Sequence, residues 1–351
     1  MRLTNRLAKS VIAIAVALAV ATAANLVAAQ ETELLWGDTH LHTSWSVDAY
    51  AMGNYLTGPD DAYRFPKGEP ILHPRLQTRI RIDRPLDFLV VADHAENMRW
   101  QLNTLDGMDL LRVVPGYEAA LERVQTTPVQ TFFLACSPLG EEYDAAIASP
   151  EVRRRTWAMQ VDAGTRHNDP GTFTTLIGYE WTSTENGNNL HRNVIYRDGL
   201  IRASMMRPFT AAESFNPEDL WKWMATYEEK TGGKVLALAH NGNMSNGIMF
   251  PVETNPATGK PLTGDYAQMR ARWEPLYDVT PLKGDGETHP MLSPNDEFAD
   301  HETLELGNLN LTVPKQPGMI KYEYGRQALR DGLAMEKKFG TNPYKFGMVG
   351  S

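Results

Sequence analysis

The sequence predicts an α/β domain, and three observations predict it. Apolar runs at 86–92, 174–181 and 234–239 are nearly continuous, as strands covered on both faces of a sheet are. Between such runs stand segments with helix signals: Pro or acids in the first turn and Gly at the stop. The runs then end in histidine or carboxylate, where the loops of an α/β barrel build a site.

The first residues stand apart from that pattern. Arg2, Arg6 and Lys9 precede a short apolar run from Val11 to about Ala21, and Val27-Ala28-Ala29 offers a small-residue cleavage site. Residues 1–29 therefore read as a secretory leader, with an apolar run too short for a comfortable membrane span. An uncleaved anchor is the alternative. The mature protein, 30–351, is expected in the periplasm or outside the cell, without stable membrane insertion. Removing the leader takes away three positive charges and no negative ones, so the net charge moves from -9 to -12. Phosphate backbones would be repelled by such a surface, which argues against nucleic acid as a partner. Cys136 is the only cysteine, so no intrachain disulfide forms and the core must supply the stability. The oligomeric state is not legible.

In chain order, an opening strand begins with Leu34-Leu35-Trp36 and runs into Gly37-Asp38-Thr39-His40-Leu41-His42. Residues 46–58 read as a loop, and Pro59-Asp60-Asp61 opens a short helix with acids at the positive end of its dipole. The strand at 86–92 follows, ending in Asp93-His94. Residues 97–172 read as a helical insertion, with helices at 108–124 and 150–163. Strands at 174–181 and 191–196 are joined so closely that a hairpin-like turn is expected rather than a crossover. Asn216 caps a helix over 217–230, which Gly232-Gly233 stops before the strand at 234–239. Residues 251–300, rich in Pro, Gly and charge, read as an irregular insertion. A short strand at 303–306, a helix over 324–338 and a strand at 345–349 close the chain and bring the strand count to seven. The stop at Gly350-Ser351, directly after a strand, reads as a truncation.

The chemistry collects at the strand ends: His40, His42, His94, Glu180, His191 and His240, with Asp48 six residues after His42. On a strand, positions i and i+2 share a face, so His40 and His42 aim at one point. Imidazole supplies neutral nitrogen, and a carboxylate supplies charge and can bridge two ions. Such a set suits two or three divalent ions, which generate hydroxide near neutral pH and clamp phosphoryl oxygens. Asp93 reads as a support behind these ligands. Arg99, Arg192 and Asn241 adjoin them and are candidates to hold substrate oxygens. His73, His167, His289 and His301 read as surface residues. No side chain is assigned as nucleophile.

These strings resemble the PHP (polymerase and histidinol phosphatase) superfamily. Asp38-Thr39-His40-Leu41-His42-Thr43-Ser44, Ala92-Asp93-His94 and Ala239-His240-Asn241 look like its first three motifs. The fuller wording Pro59-Asp60-Asp61-Ala62-Tyr63-Arg64-Phe65 and Arg84-Pro85-Leu86-Asp87-Phe88 resembles an exported bacterial branch, the domain of unknown function 3604 family. The resemblance implies a distorted seven-stranded (β/α) TIM-like barrel with a trinuclear site. It implies His40 and His42 on a first ion, Glu180 bridging to a second held by His191 and His240, and Asp48 with His94 on a third. A closing Asp-x-His would fall just past Ser351, and a chain lacking it is expected to bind metal incompletely.

The expected function is an exported metal-dependent hydrolase, a phosphoesterase using a metal-bridging hydroxide on a small phosphorylated substrate. Zn, Mn and Fe all suit the mixed N/O ligation. One rival is an amidohydrolase-type barrel, which also opens with His-x-His but wants a bridging lysine where this chain has Glu180. The other is a PHP-like domain that binds metal without catalysis.

Overall fold

A computed structural model of the chain describes residues 32–126 and 139–350. The expected leader at 1–29, Cys136 and Ser351 lie outside the described residues. Contacts divide the chain into a unit of residues 1–36 and a unit of residues 37–351. In the first, Leu34, Leu35 and Trp36 are exposed and form no strand. The opening strand instead begins at Gly37, where pairing with Phe88 starts.

Seven strands of the second unit form one sheet in chain order: β1 (Gly37–Leu41), β2 (Phe88–Val91), β3 (Thr174–Trp181), β4 (Arg192–Tyr196), β5 (Val235–His240), β6 (Leu276–Asp278) and β7 (Gly347–Val349). β4 is antiparallel to both neighbours, and all other pairs are parallel. The close connection of β3 to β4 is thus the expected hairpin, with Trp181 opposite Arg192. Residues Ile71–Leu72 and Arg79–Ile80 form a separate two-stranded ribbon.

The sheet curls into a half-barrel with β1 and β7 at its edges. Flat, β1 and β4 would stand about 14 Å apart. Instead Asn193 Nδ2 on β4 donates to the Thr39 carbonyl on β1 at 3.1 Å across the hollow. Alternation then sorts the side chains between two faces. Val90, Ala92, Ile195 and Leu238 form the concave floor, with Leu176, Leu236 and Leu276 against them. Ile177, Tyr179, Trp181, Val194 and Tyr196 face outward into the larger core under the helices.

Six helices matter to the site: α1 (Val47–Ala51), α2 (Pro59–Arg64), α3 (Pro150–His167), α4 (Pro217–Thr231), α5 (Gly264–Trp273) and α6 (Gly325–Phe339). α4 and α6 stop at the glycines read as their stops, and Gly340 ends α6 at φ 75°. In α4 the Asn216 side chain accepts from Glu218 N at 3.1 Å, Pro217 opens the first turn, and Gly232 ends it at φ 67°. Its buried face, Leu220, Trp221, Met224 and Tyr227, joins Trp157 and Val161 of α3 in the outer core. Burying a residue such as Leu220 or Met224 contributes about 1.5–3 kcal/mol each. Within 97–172 the described residues form Trp100–Leu105, Asp109–Arg112, Tyr117–Thr126 and Glu141–Ile147 before α3, so the helix expected over 108–124 is broken between Arg112 and Tyr117.

Three expectations need correction. Residues 46–58 are not all loop, because α1 forms there and carries Asp48. The irregular reading of 251–300 conceals α5, capped by Thr263 accepting from Tyr266 N at 3.2 Å, and β6 immediately after it. The expected strand at 303–306 is absent; Leu306 makes only an isolated bridge to Pro314. The sixth sheet position is filled by Leu276–Asp278, whose short apolar run is bounded by Pro275 and a Pro/Gly-rich loop. Among the described residues, no helix is long and apolar enough to cross a membrane.

Candidate metal centre

The seven residues expected as ligands arrive at one end of the concave face by three routes. His40 sits in β1, and His42 lies just past it, after a register irregularity between Asp38 and Leu41. His94 follows β2 and bridges to Glu180 near the end of β3. His240 is the last residue of β5. His191 precedes β4, and only because β4 is reversed does a strand's start lie beside the ends of its neighbours. Asp48 comes from the first turn of α1.

Glu180 is the hub. It is fully buried, and five imidazoles surround its carboxylate. Oε1 lies 2.6 Å from His191 Nδ1 and 3.1 Å from His240 Nε2. Oε2 lies 2.8 Å from His42 Nε2, 3.4 Å from His94 Nδ1 and 3.7 Å from His40 Nε2. Asp48 Oδ2 adds contacts of 2.9 Å to His42 Nδ1 and 3.4 Å to His94 Nε2. The donor atoms fall into three groups, each within 4.8 Å: His40, Glu180 and His240; His42, Asp48 and His94; His94, Glu180 and His191. This grouping differs from the partition the resemblance implies. His40 goes with His240 rather than His42, because the irregularity after Asp38 parts the two rings, 5.1 Å apart at their centroids.

The donor set fits cations. His42 Nε2, His191 Nδ1 and Glu180 Oε2 have no hydrogen-bond partner among the described residues, although nitrogen and oxygen approach as near as 2.6 Å. Buried polar atoms this close, yet out of hydrogen-bonding alignment, cost free energy unless a third party satisfies their lone pairs. A divalent ion does so for several at once.

Electrostatics follow the same geometry. Burial disfavours an ionised Glu180, but His94, His240 and His191 outweigh it and hold the carboxyl well below its usual range. Burial also opposes Asp48, and His42 and His94 reverse it in the same way. His42 is buried too, yet Asp48 and then Glu180 carry its pKa up to about 10. His191 goes the other way: burial pulls it down to about 4 despite Glu180. His240 is likewise held well below its usual value, by burial and by His40 beside it. The centre thus combines ionised carboxylates with two imidazoles held neutral, the forms that ligate metal.

Asp93 lies next to His94 and holds the turn that carries His42. It is fully buried and accepts from Thr43 N at 2.6 Å and Thr43 Oγ1 at 2.7 Å. Burial raises its pKa to about 6 against those two donors.

The residues expected to hold substrate fare differently. Arg192 lies on the outward face of β4 by alternation, is 1% exposed, and spends its Nε on Glu274 at 3.0 Å. It is a core residue, not a substrate ligand. Arg99 is held by Asn103 at 2.8 Å and Asp106 at 2.6 Å, its guanidinium over the Trp45 ring. Asn241 remains a candidate: it is buried next to His240, and its side-chain atoms have no hydrogen-bond partner among the described residues. Among the histidines read as surface residues, His301 is exposed, whereas His73 and His167 are half-buried. His289 is buried against Tyr324 with Nε2 2.9 Å from Glu305 Oε1, because the loop after β6 folds over it.

Asp278 is the site residue the sequence reading missed. It ends β6, is fully buried, and places Oδ2 3.2 Å from His40 Nδ1. Leu276-Tyr277-Asp278 repeats the apolar-then-acid ending of Val91-Ala92-Asp93, which is the signal that marks it.

A family model described as a protein of unknown function, DUF3604, matches residues 29–351. No curated protein and no solved structure matches the chain.

Proposed function

The chain belongs to the DUF3604 family of proteins of unknown function, and we propose that it is an exported metal-dependent hydrolase acting on phosphate esters. The observation that carries this is the buried Glu180 carboxylate within 3.7 Å of nitrogens from five histidines, with Asp48 completing a further group. Two or three divalent ions of the Zn, Mn or Fe class would supply hydroxide near neutral pH and stabilise charge on phosphoryl oxygens.

The chain's own residues have definable tasks in this reading. His40, Glu180 and His240 would hold one ion, His42, Asp48 and His94 another, and His191 with His94 and Glu180 a third. Asp93, through Thr43, keeps the His42 turn in place. The apolar floor of Val90, Ile195 and Leu238 keeps water from the centre's underside and strengthens its electrostatics. Asn241, buried beside His240 with its side-chain amide unpartnered among the described residues, would donate to a substrate oxygen. The half-barrel, its strand-end His-x-His and its acid hub support a PHP-type site; export rests on the sequence pattern of residues 1–29 alone. Glu180, shared by two of the donor groups where an amidohydrolase would want a lysine, favours phosphoesterase over amidohydrolase chemistry.

The test uses the full chain loaded separately with Zn, Mn and Fe. Turnover of an aryl phosphate and of an aryl amide is compared for the wild type and for His40→Ala/His42→Ala. The expected result is ester hydrolysis that depends on added metal, and a double variant with lower metal content and no turnover. Metal content unchanged in the double variant overturns the metal reading. Bound metal with amide but no ester turnover overturns the substrate class.

A further inference from the structure

The two ring nitrogens of His40 face different carboxylates. Nε2 points at the hub, 3.7 Å from Glu180 Oε2, while Nδ1 lies 3.2 Å from Asp278 Oδ2. Asp278 comes from the far side of the half-barrel, with four strands between β1 and β6. In the sheet it pairs in register with His240, the other histidine of the same donor group. Its position at that level is therefore set by the sheet and not by a loop. Asp278 itself joins none of the three donor groups, although it is fully buried at their edge.

The chemistry of the contact is one-sided. An ionised carboxylate only accepts, so Nδ1 of a neutral His40 must carry the ring proton, and the lone pair then sits on Nε2. The His40 backbone is held as well, its N–H donating to Asp38 Oδ1 at 2.7 Å. The ring packs 4.0 Å from the His240 ring.

We propose that Asp278 is a positioning residue that fixes the tautomer and orientation of His40 and so presents Nε2 to the Glu180–His240 group. Metal-ligating histidines are held in this manner by a carboxylate on the second nitrogen, and losing that carboxylate costs about 10–100-fold in metal affinity. The proposal rests on the metal reading above, and its test separates the two.

Nitrogen-15 NMR of the His40 ring in the metal-free full chain, above the pH at which the ring is neutral, reads the tautomer directly. The expected signature is a protonated Nδ1 in the wild type, lost in Asp278→Leu, which removes the acceptor at similar volume. Chelator competition with Zn then reads affinity. Asp278→Leu is expected to weaken one bound ion about 10–100-fold, and Asp278→Asn, which keeps a neutral acceptor, to recover part of the loss. Thermal melting of the metal-free variants checks folding; should Asp278→Leu not fold, Asp278→Asn and the wild-type tautomer carry the test. A protonated Nε2 in the wild type overturns the proposal. So does wild-type Zn affinity in Asp278→Leu when His40→Ala loses an ion. A chain that binds no divalent ion overturns the metal reading instead, and the tautomer still decides whether Asp278 orients His40.

Discussion

Arg192 and Glu274 form a buried ion pair, Nε to Oε1 at 3.0 Å, on the opposite face of the sheet from the histidine cluster. Trp221 Nε1 donates to the same oxygen at 2.9 Å, and Arg270 Nε lies 3.2 Å from Oε2. Removing one partner of such a set leaves buried charge uncompensated. Glu274→Ala is therefore expected to cost about 3–5 kcal/mol, read by urea denaturation of the metal-free chain. Zn stoichiometry of the folded fraction should be unchanged, since this pair does not touch the metal centre.

The same pair sets a pH dependence. Burial pushes the Glu274 pKa up, but Arg192 and Arg270 more than reverse this, so its pKa lies below the ordinary value of 4.5. The unfolded chain then takes up the proton first as pH falls, and the stabilisation fades. It is fully present above about pH 4.5 and is lost as pH drops through the folded value. In urea titrations the stability gap between wild type and Glu274→Gln should narrow below that pH and stay constant above it. A gap that widens on acidification contradicts the assignment.

Glu180→Gln tests the hub. The substitution keeps the shape and removes the charge that five imidazoles share. Metal content by elemental analysis should fall by at least one ion per chain, whereas Asp60→Asn, in an exposed pair with Arg166, should leave it unchanged.

Metal removal has a stability readout of its own. Ions that bind the folded chain alone stabilise it by about 2.7 kcal/mol at a free concentration of one hundred times Kd. Chelation should therefore lower the melting temperature by several degrees in the wild type and by much less in His40→Ala/His42→Ala.

Thr43→Val probes the support behind His42. It deletes the hydroxyl that donates to Asp93 Oδ2 and accepts from Trp45 N, leaving a buried carboxylate oxygen without its donor. The expected cost is about 1–3 kcal/mol, with weaker Zn binding measured alongside.

Much of this was legible because the relevant signals are local. His40 and His42, Asp93-His94 and His240 each follow an apolar run, and Asn216, Pro217 and Gly232 mark a helix by backbone chemistry alone. What escaped detection depends on distant partners. β6 has three residues, too few for a periodicity, and is a strand because β5 and β7 flank it. Asp278 is therefore marked only by the sheet, which pairs it with His240. The role of Arg192 is not legible from its adjacency to His191, because on a strand neighbours point to opposite sides. Asp48 was found as a residue, but its helix, five residues long, is too short to announce itself.

Asn193 reaches Thr39 across 154 positions of sequence, and Asp278 reaches His40 across 238. Contacts of such separation form late, since the loop they close must be paid for before they return anything. β1 pairs early with the nearer β2, but these two contacts across the hollow are completed only after the chain as far as Asp278 has folded. Until residues near 278 have folded, His40 lacks the carboxylate on its Nδ1 and the first donor group is incompletely oriented. Refolding followed by pulsed hydrogen exchange of β1 and β6, with a zinc indicator present, should place high-affinity ion capture in the final phase, after the β3–β4 hairpin has closed.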